Sequence, residues 1–373
     1  MWTRLSEDLS VALEQHAQAK ERFCKTSEYM NLCFKVKWFY KTHIAEVPEM
    51  QNQTPSYPLW FEPFVMQWLN ENDEISMDFL RNAYQRDKKD GFHRSSEQAL
   101  FSNSVVDVFT QLNQCFDIMK KLECPDPEVN ARFINRFSHT VGKVLLTYAE
   151  VVKAGYDHWR ETQETACILM NNIQQCRVQL ERVYEAMGGD SLQEDTKVML
   201  NDVIDDMAQK YSVALEPQIL VQIKEVNKLL HQCATGANAS VEAEADNILR
   251  PLMDHFESSL SVYADICEKT VLKRILKEIS KETGAATLKN LTPWHCQILN
   301  IALEAIKNYF HAGGSGLKNT YLERSPELQS LQYALSLYTQ TTDSLIKIFV
   351  STQTTQGWCD WLLLSKDFSS KNE

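Results

Sequence analysis

Glycine and proline are scarce in this chain, with 11 Gly and 10 Pro among 373 residues. Few residues therefore interrupt regular structure, and apolar side chains recur at helical spacing almost throughout. No run of alternating apolar and polar residues predicts a strand, and no apolar run approaches the roughly 18–20 residues that span a bilayer. The sequence predicts an all-α protein of about ten helices, several of them long, stacked as helical bundles into an elongated rod.

Basic residues are outnumbered, since 38 Lys and Arg stand against 50 Asp and Glu and the net charge is −12. Binding to phosphates needs clustered Lys and Arg, so this balance argues against a general nucleic-acid binder. The 10 cysteines are scattered singly, with no C-x-x-C pair for zinc or thioredoxin-like chemistry. A long acidic chain of this kind, without a signal peptide, is expected in the cytoplasm with mostly buried, reduced thiols.

Catalytic motifs are missing as well. The sequence has no G-x-x-x-x-G-K-[ST], H-E-x-x-H or G-x-S-x-G motif, and its nine His are isolated. Three acidic residues, Asp202, Asp205 and Asp206, share a face of a predicted helix, and this group has two interpretations. It could hold Mg²⁺ in an all-α enzyme, but the D-x-x-D-D order and the lack of a second acidic motif favour a solvated face. We therefore expect no enzyme activity, cofactor or metal.

Local signals predict several helix boundaries. Residues 5–44 contain no Gly or Pro, which predicts one helix of roughly 60 Å. Ser95 with Gln98 has the form of a capping box that opens the next long helix. Gly188 is a helix C-cap signal. Residues 241–279 are predicted as a single helix beyond an early kink at Pro251.

The segment 29–40, YMNLCFKVKWFY, is predicted to form a helix with two apolar faces. One face is an ordinary core stripe of Tyr29, Leu32, Cys33, Val36, Phe39 and Tyr40. The opposite face places Met30, Phe34 and Trp38 among Asn31, Lys35, Lys37 and Lys41. Such a basic aromatic face is explained either by a second neighbouring element that buries it or by a binding partner. Asn31 and Phe34, three residues apart, lie side by side like a small polar and aromatic anchor for a partner helix.

Nine blocks of sequence, in order, carry a resemblance to a known family. They are residues 29–38, 60–69, 86–92, 121–127, 167–172, 185–189, 266–274, 309–314 and 331–340. Together they resemble the MUN domain of the Unc-thirteen vesicle-priming family over residues 5–356. The resemblance implies a rod of helical bundles similar to vesicle-tethering complex subunits. It also implies a scaffold that helps syntaxin leave its closed complex with the Sec1-type chaperone and enter the SNARE bundle.

The resemblance also implies which residues bind partners. Asn31 and Phe34 match the family's Asn and Phe pair that is linked to syntaxin opening. Lys35 and Trp38 lie on the same face and join the candidate contacts, although Trp38, like Met30, is also a candidate for second-neighbour core. Asp246 matches an acidic position associated with the vesicle SNARE synaptobrevin. The implied location is cytoplasmic, peripheral to the presynaptic plasma membrane.

The same resemblance implies a domain organisation. Residues 1–155 correspond to the first Munc-homology region, lacking the N-terminal part of the family's rod. Residues 156–239 form a connecting helical bundle, and 240–356 the second homology region, shortened near 280–287. Residues 357–373 are expected to be a divergent, disordered tail. The family's C1 and C2 domains are expected to be absent, and with them the contacts to membrane. A passive rod-like tether without direct SNARE action remains the alternative function.

Overall fold

The computed structural model describes residues 2–19, 24–48, 55–160, 162–188, 194–233, 240–283, 291–338 and 340–351. These residues form helices and no named strand, as the all-α prediction expects. The helices are α1 (Trp2–Gln18), α2 (Thr26–Phe39), α3 (Tyr57–Asp90), α4 (Asn103–Leu122), α5 (Pro127–Trp159), α6 (Gln163–Met187), α7 (Glu194–Gln232), α8 (Val241–Ile266), α9 (Lys269–Thr283), α10 (Pro293–His311), α11 (Asn319–Glu323) and α12 (Pro326–Leu337). A π-helical turn, Tyr40–Ile44, extends α2, and residues 342–351 are also helical.

The described residues divide into two compact units. Unit 1 runs to Tyr211 and includes the later segment Tyr263–Leu272; in it α3 packs on α1, α2, α4 and α5, and α5 packs on α6. Unit 2 comprises Ser212–Val262 and continues from Lys273, with α10 packed on α11 and α12. The division at residues 155 and 239 concerns homology regions and stays a prediction. The proposed tail lies outside the described residues.

The single helix predicted over residues 5–44 is wrong. The chain forms two helices here, α1 and α2, which contact each other at both ends. The ring of Trp2 lies 6.3 Å from that of Phe39, and the His16 ring nitrogen Nδ1 lies 2.9 Å from the Tyr29 hydroxyl. Contacts at both ends place α1 and α2 side by side and antiparallel. Lys25 is extended and donates its backbone N–H to the Glu28 carboxylate at 2.8 Å, which caps the start of α2.

The capping box predicted at Ser95 is also wrong, because α4 begins only at Asn103. Its cap comes from another helix: the buried Asp87 carboxylate of α3 accepts the Ser104 backbone N–H at 3.0 Å. The same carboxylate accepts the hydroxyls of Ser102 and Ser104, each at 2.5 Å. The Ser104 hydroxyl also lies 2.8 Å from that of Tyr148 on α5. The start of α4 is thus capped by a side chain of α3, whereas the sequence pattern predicted a cap from residues next to the helix.

The predicted helix over 241–279 is interrupted at Cys267 and Glu268, between α8 and α9. The fully buried side chain of Asn171 on α6 binds this break. Its amide nitrogen donates to the carbonyls of Ile266 (2.7 Å) and Leu100 (2.6 Å), and its oxygen accepts the Glu268 N–H at 2.9 Å. The break is stable because a side chain replaces helical hydrogen bonds. The predicted stop at Gly188 is confirmed, with a left-handed φ of 80°.

Candidate partner-binding face on helix α2

One face of α2 belongs to the core of unit 1. Tyr29, Cys33 and Val36 are buried, and the Tyr29 ring stacks on Phe64 of α3 with ring centroids 4.0 Å apart. Burial raises the pKa of the Cys33 thiol to about 12, so this thiol is protonated and packs as an apolar group. The predicted core stripe is therefore present, with Leu32 and Phe39 half-buried at its edges.

The opposite face of α2 carries an outward row of side chains. Asn31, Lys35 and Trp38 are exposed at positions i, i+4 and i+7, and 61% of the Trp38 surface is accessible. Phe34 is half-buried beside them, and the Nζ of Lys37 lies 5.9 Å from its ring centroid. We call Asn31, Phe34, Lys35 and Trp38 the α2 face. It presents an amide, two aromatic rings and a cation on one rigid helix.

Met30 and Trp38 differ in their exposure to solvent. Met30 is 4% exposed and belongs to the core, as the second-neighbour interpretation expects. Trp38 points outward, and its only described ring contact is an edge-to-face one with His43 at 5.6 Å. Second-neighbour burial is therefore wrong for Trp38. A largely exposed tryptophan is a large apolar surface left to solvent or to a partner.

The end of α4 fixes the flank of the α2 face. Lys37 donates its Nζ to the Lys121 carbonyl at 2.5 Å and lies 3.5 Å from the Glu123 carboxylate. Lys41 pairs with the same carboxylate at 2.6 Å. Glu123 adopts a left-handed φ of 43° at the C-cap of α4. Two of the basic residues beside the face are thus already paired within the chain.

These ion pairs change the electrostatics of the flank. The hydrogen bond from Lys41, together with the charge of Lys37, holds the pKa of the Glu123 carboxyl below its ordinary value. In the part of the chain that the structure describes, no carboxylate forms an ion pair with Lys35. Lys35 therefore supplies the uncompensated positive charge of the α2 face.

Asp246 lies in unit 2, near the start of α8, and is exposed. Its neighbour Ala245 is buried, so this turn of α8 has one side in the core and Asp246 on the other. The Asp246 carboxylate therefore lies on the solvent side of α8.

One member of the acidic group on α7, Asp206, forms ion pairs with lysines. Asp206 lies 3.2 Å from the Nζ of Lys153 and 3.9 Å from that of Lys210. Asp202 and Asp205 are exposed. Across the described ranges, no group of three or more His, Cys, Asp and Glu side chains has the geometry to hold a metal ion. The arrangement agrees with a solvated, ion-paired helix face.

Sequence reasoning missed the buried polar network around Asn171 and Asn172. Asn172 accepts the Ser102 N–H at 2.9 Å and donates to the hydroxyls of Ser102 (2.8 Å) and Tyr148 (3.1 Å). One signal was available: two adjacent asparagines follow the apolar run CILM, where polar side chains have to find buried partners.

These features define a class of protein: an all-α chain built of helical bundles, with an outward aromatic and basic helix face. The family model of the MUN domain matches residues 1–349. The chain therefore belongs to the MUN domain family. No helix in the described ranges combines the length and apolar character that crossing a membrane requires.

Two further proteins are similar to this chain. An uncharacterized protein of Schizosaccharomyces pombe, C11E3.02c, is 35% identical over 97 residues, which are 26% of this chain and 7% of that protein. The crystal structure of M-Sec has a TM-score of 0.61 at 14% identity, over 93% of this chain and 60% of M-Sec. The chain thus spans less than two thirds of either protein. The match to M-Sec shows a shared fold.

Proposed function

We propose that this chain is a vesicle-priming scaffold that promotes the opening of syntaxin and the assembly of SNARE complexes in regulated exocytosis. Membership in the MUN domain family supports a vesicle-related tethering or priming role. It also favours a non-enzymatic scaffold. The observation that supports the finer proposal is the α2 face, because Asn31 is exposed and Phe34 half-buried on it, and the resemblance matches these two residues to the family's Asn and Phe pair.

The α2 face suits a partner helix. Phe34 and Trp38 offer aromatic surface that a partner's apolar residues would cover, and such anchors dominate many interfaces. The Asn31 amide supplies a directional hydrogen bond. Lys35, which pairs with no carboxylate among the described residues, favours an acidic residue opposite it. The partners under this proposal are syntaxin and its Sec1-type chaperone, and synaptobrevin through Asp246.

The mechanism is a shift of populations. A scaffold changes the equilibrium between closed and open syntaxin only by the difference between its affinities for the two states. Under the proposal, the α2 face contacts a syntaxin surface that is accessible in the open state. The packing of Tyr29, Cys33 and Val36 on the other side of α2 fixes the helix, so its backbone needs no further ordering when a partner binds.

The test is a reconstituted transfer of syntaxin from its chaperone complex into the SNARE bundle, with Asn31→Ala and Phe34→Ala variants of the full chain. We expect the transfer rate to fall about tenfold, as for loss of an interface anchor. Phe79→Ala and Asn82→Ala are the matched controls. Phe79 and Asn82 are likewise three apart on one helix, Phe79 is half-buried, and Arg86 lies 5.9 Å from its ring.

The outcomes separate the alternatives. Unchanged transfer in the α2 variants, at unchanged melting temperature, would refute the syntaxin proposal. If the chain then still clustered vesicles, the passive tether would be supported instead. A transfer defect of equal size in the Phe79 and Asn82 variants would also count against a specific face.

A further inference from the structure

Unit 2 contains an apolar cavity of about 70 Å³ between α7, α8, α10 and α12. Its lining consists entirely of aliphatic side chains: Ile223, Val226, Leu249, Leu252, Leu299, Ala302, Leu303, Ile306, Leu328, Leu331 and Leu335. No polar side chain contributes to this wall. A cavity lined in this way offers a water molecule no side-chain hydrogen-bond partner. Apolar cavities of this kind stay dry and take up apolar molecules.

The cavity has an opening. Eight of the eleven lining residues are buried, whereas Ile223, Ile306 and Leu331 are half-buried. These three come from α7, α10 and α12, so the cavity reaches the surface where these helices meet. An elongated apolar group could enter between them with its end in the cavity.

Polar side chains of α10 and α12 bind one another. The Glu304 carboxylate accepts from the Nζ of Lys307 at 2.8 Å and from the side-chain amide of Gln332 at 3.3 Å. The bond to Gln332 joins α10 to α12. The aliphatic wall favours an uncharged ligand.

Unit 1 offers a comparison. A pocket beneath α2, lined by residues that include Cys33, Tyr57 and Phe133, has a volume of only about 10 Å³. Side chains there fill the space between the helices. In unit 2, the buried Ala302 of α10 is the smallest side chain of the lining, which otherwise consists of Ile, Val and Leu residues. Leucine or valine at that position would occupy the space.

We propose that the cavity of unit 2 binds the end of a small, uncharged hydrocarbon group, which enters between Ile223, Ile306 and Leu331. This site is independent of the α2 face and of the proposed action on syntaxin.

The test is a titration of the full chain with n-pentane, followed by methyl NMR of its Ile, Leu and Val side chains. We expect saturable shifts of the lining methyl groups, among them those of Ile223, Ile306 and Leu331. We expect Ala302→Val to weaken pentane binding at least fivefold. Ala305→Val, on the same helix but outside the lining, should change it less than twofold.

A parallel titration with pentanoate tests the charge requirement, and we expect it to bind at least tenfold more weakly than pentane. Absence of saturable shifts in the wild-type chain would overturn the proposal, whatever the variants do. So would pentane affinity that survives in Ala302→Val, or shifts that are as large in the core of unit 1 as around the cavity.

Discussion

Replacing Asn171 with alanine removes a buried amide that holds three segments of unit 1 together. The side chain binds the carbonyls of Leu100 and Ile266 and the N–H of Glu268, at 2.6, 2.7 and 2.9 Å. The Leu100 carbonyl belongs to the connection before α4, and the groups of Ile266 and Glu268 lie at the break between α8 and α9. Alanine at this position leaves all three backbone groups without their partner.

The expected loss in free energy of unfolding depends on how deeply the three hydrogen bonds are buried. An unsatisfied buried donor or acceptor costs about 1–3 kcal/mol. The bond to Ile266 is buried, while those to Leu100 and Glu268 are part-buried and regain some solvation when the amide is lost. The expected loss is about 3–5 kcal/mol for the three groups together. For a unit of this size it corresponds to a fall in melting temperature of about 10 °C.

Urea unfolding followed by circular dichroism measures this loss, and amide hydrogen exchange locates it. We expect faster exchange at the junction of α8 and α9, because Asn171 supplies the bonds that close it. Asn70→Ala is the matched control: Asn70 is exposed and accepts one hydrogen bond from Arg136 at 2.7 Å, so its loss should cost less than about 0.5 kcal/mol. A loss below about 1 kcal/mol for Asn171→Ala would refute the reasoning.

Three further predictions concern α2 and the cavity. Met30→Ala should cost about 2–5 kcal/mol in urea unfolding and Trp38→Ala less than about 1, since only Met30 is buried; equal losses would contradict this assignment. Ala302→Val should stabilise unit 2 by about 1 kcal/mol, because filling all 70 Å³ would gain about 1.7 kcal/mol; a lower melting temperature would contradict this prediction. The Glu123 carboxyl should titrate below 4.5 in the folded chain, and Lys41→Met should raise its midpoint, by carboxyl ¹³C NMR. Because the folded pKa is the lower one, the stabilisation from Glu123 is present above pH 4.5 and is lost as pH falls through the folded midpoint. An unchanged midpoint in the variant would rule out Lys41 as the main cause.

Local signals were reliable where the backbone itself sets the boundary. Gly188 ends α6 because a left-handed φ of 80° is easy for glycine, and no other part of the molecule is needed to explain it. The all-α class follows similarly from helical periodicity and from the scarcity of Gly and Pro. By contrast, the break near residue 25 has neither residue, and the break at Cys267 depends on Asn171, about 95 residues away.

For the candidate site too, local sequence signals predicted some features and tertiary packing decided others. Periodicity placed Met30, Phe34 and Trp38 together on one face of α2, and the resemblance singled out Asn31 and Phe34. Which of these side chains meets solvent depends on the elements that pack beside α2, and the sequence of the helix does not specify them. The structure buries Met30, half-buries Phe34 and exposes Trp38.

The sequence by itself determined that the chain is helical, where glycine ends a helix, and that one segment carries two apolar faces. These properties depend on residues within a few turns of one another, whose backbone preferences and spacing are local. Only the tertiary structure decided that α1 folds back on α2, that Asp87 caps α4 and that Asn171 closes the break between α8 and α9. The physical reason is that buried polar groups must find hydrogen-bond partners, and those partners lie far away in sequence.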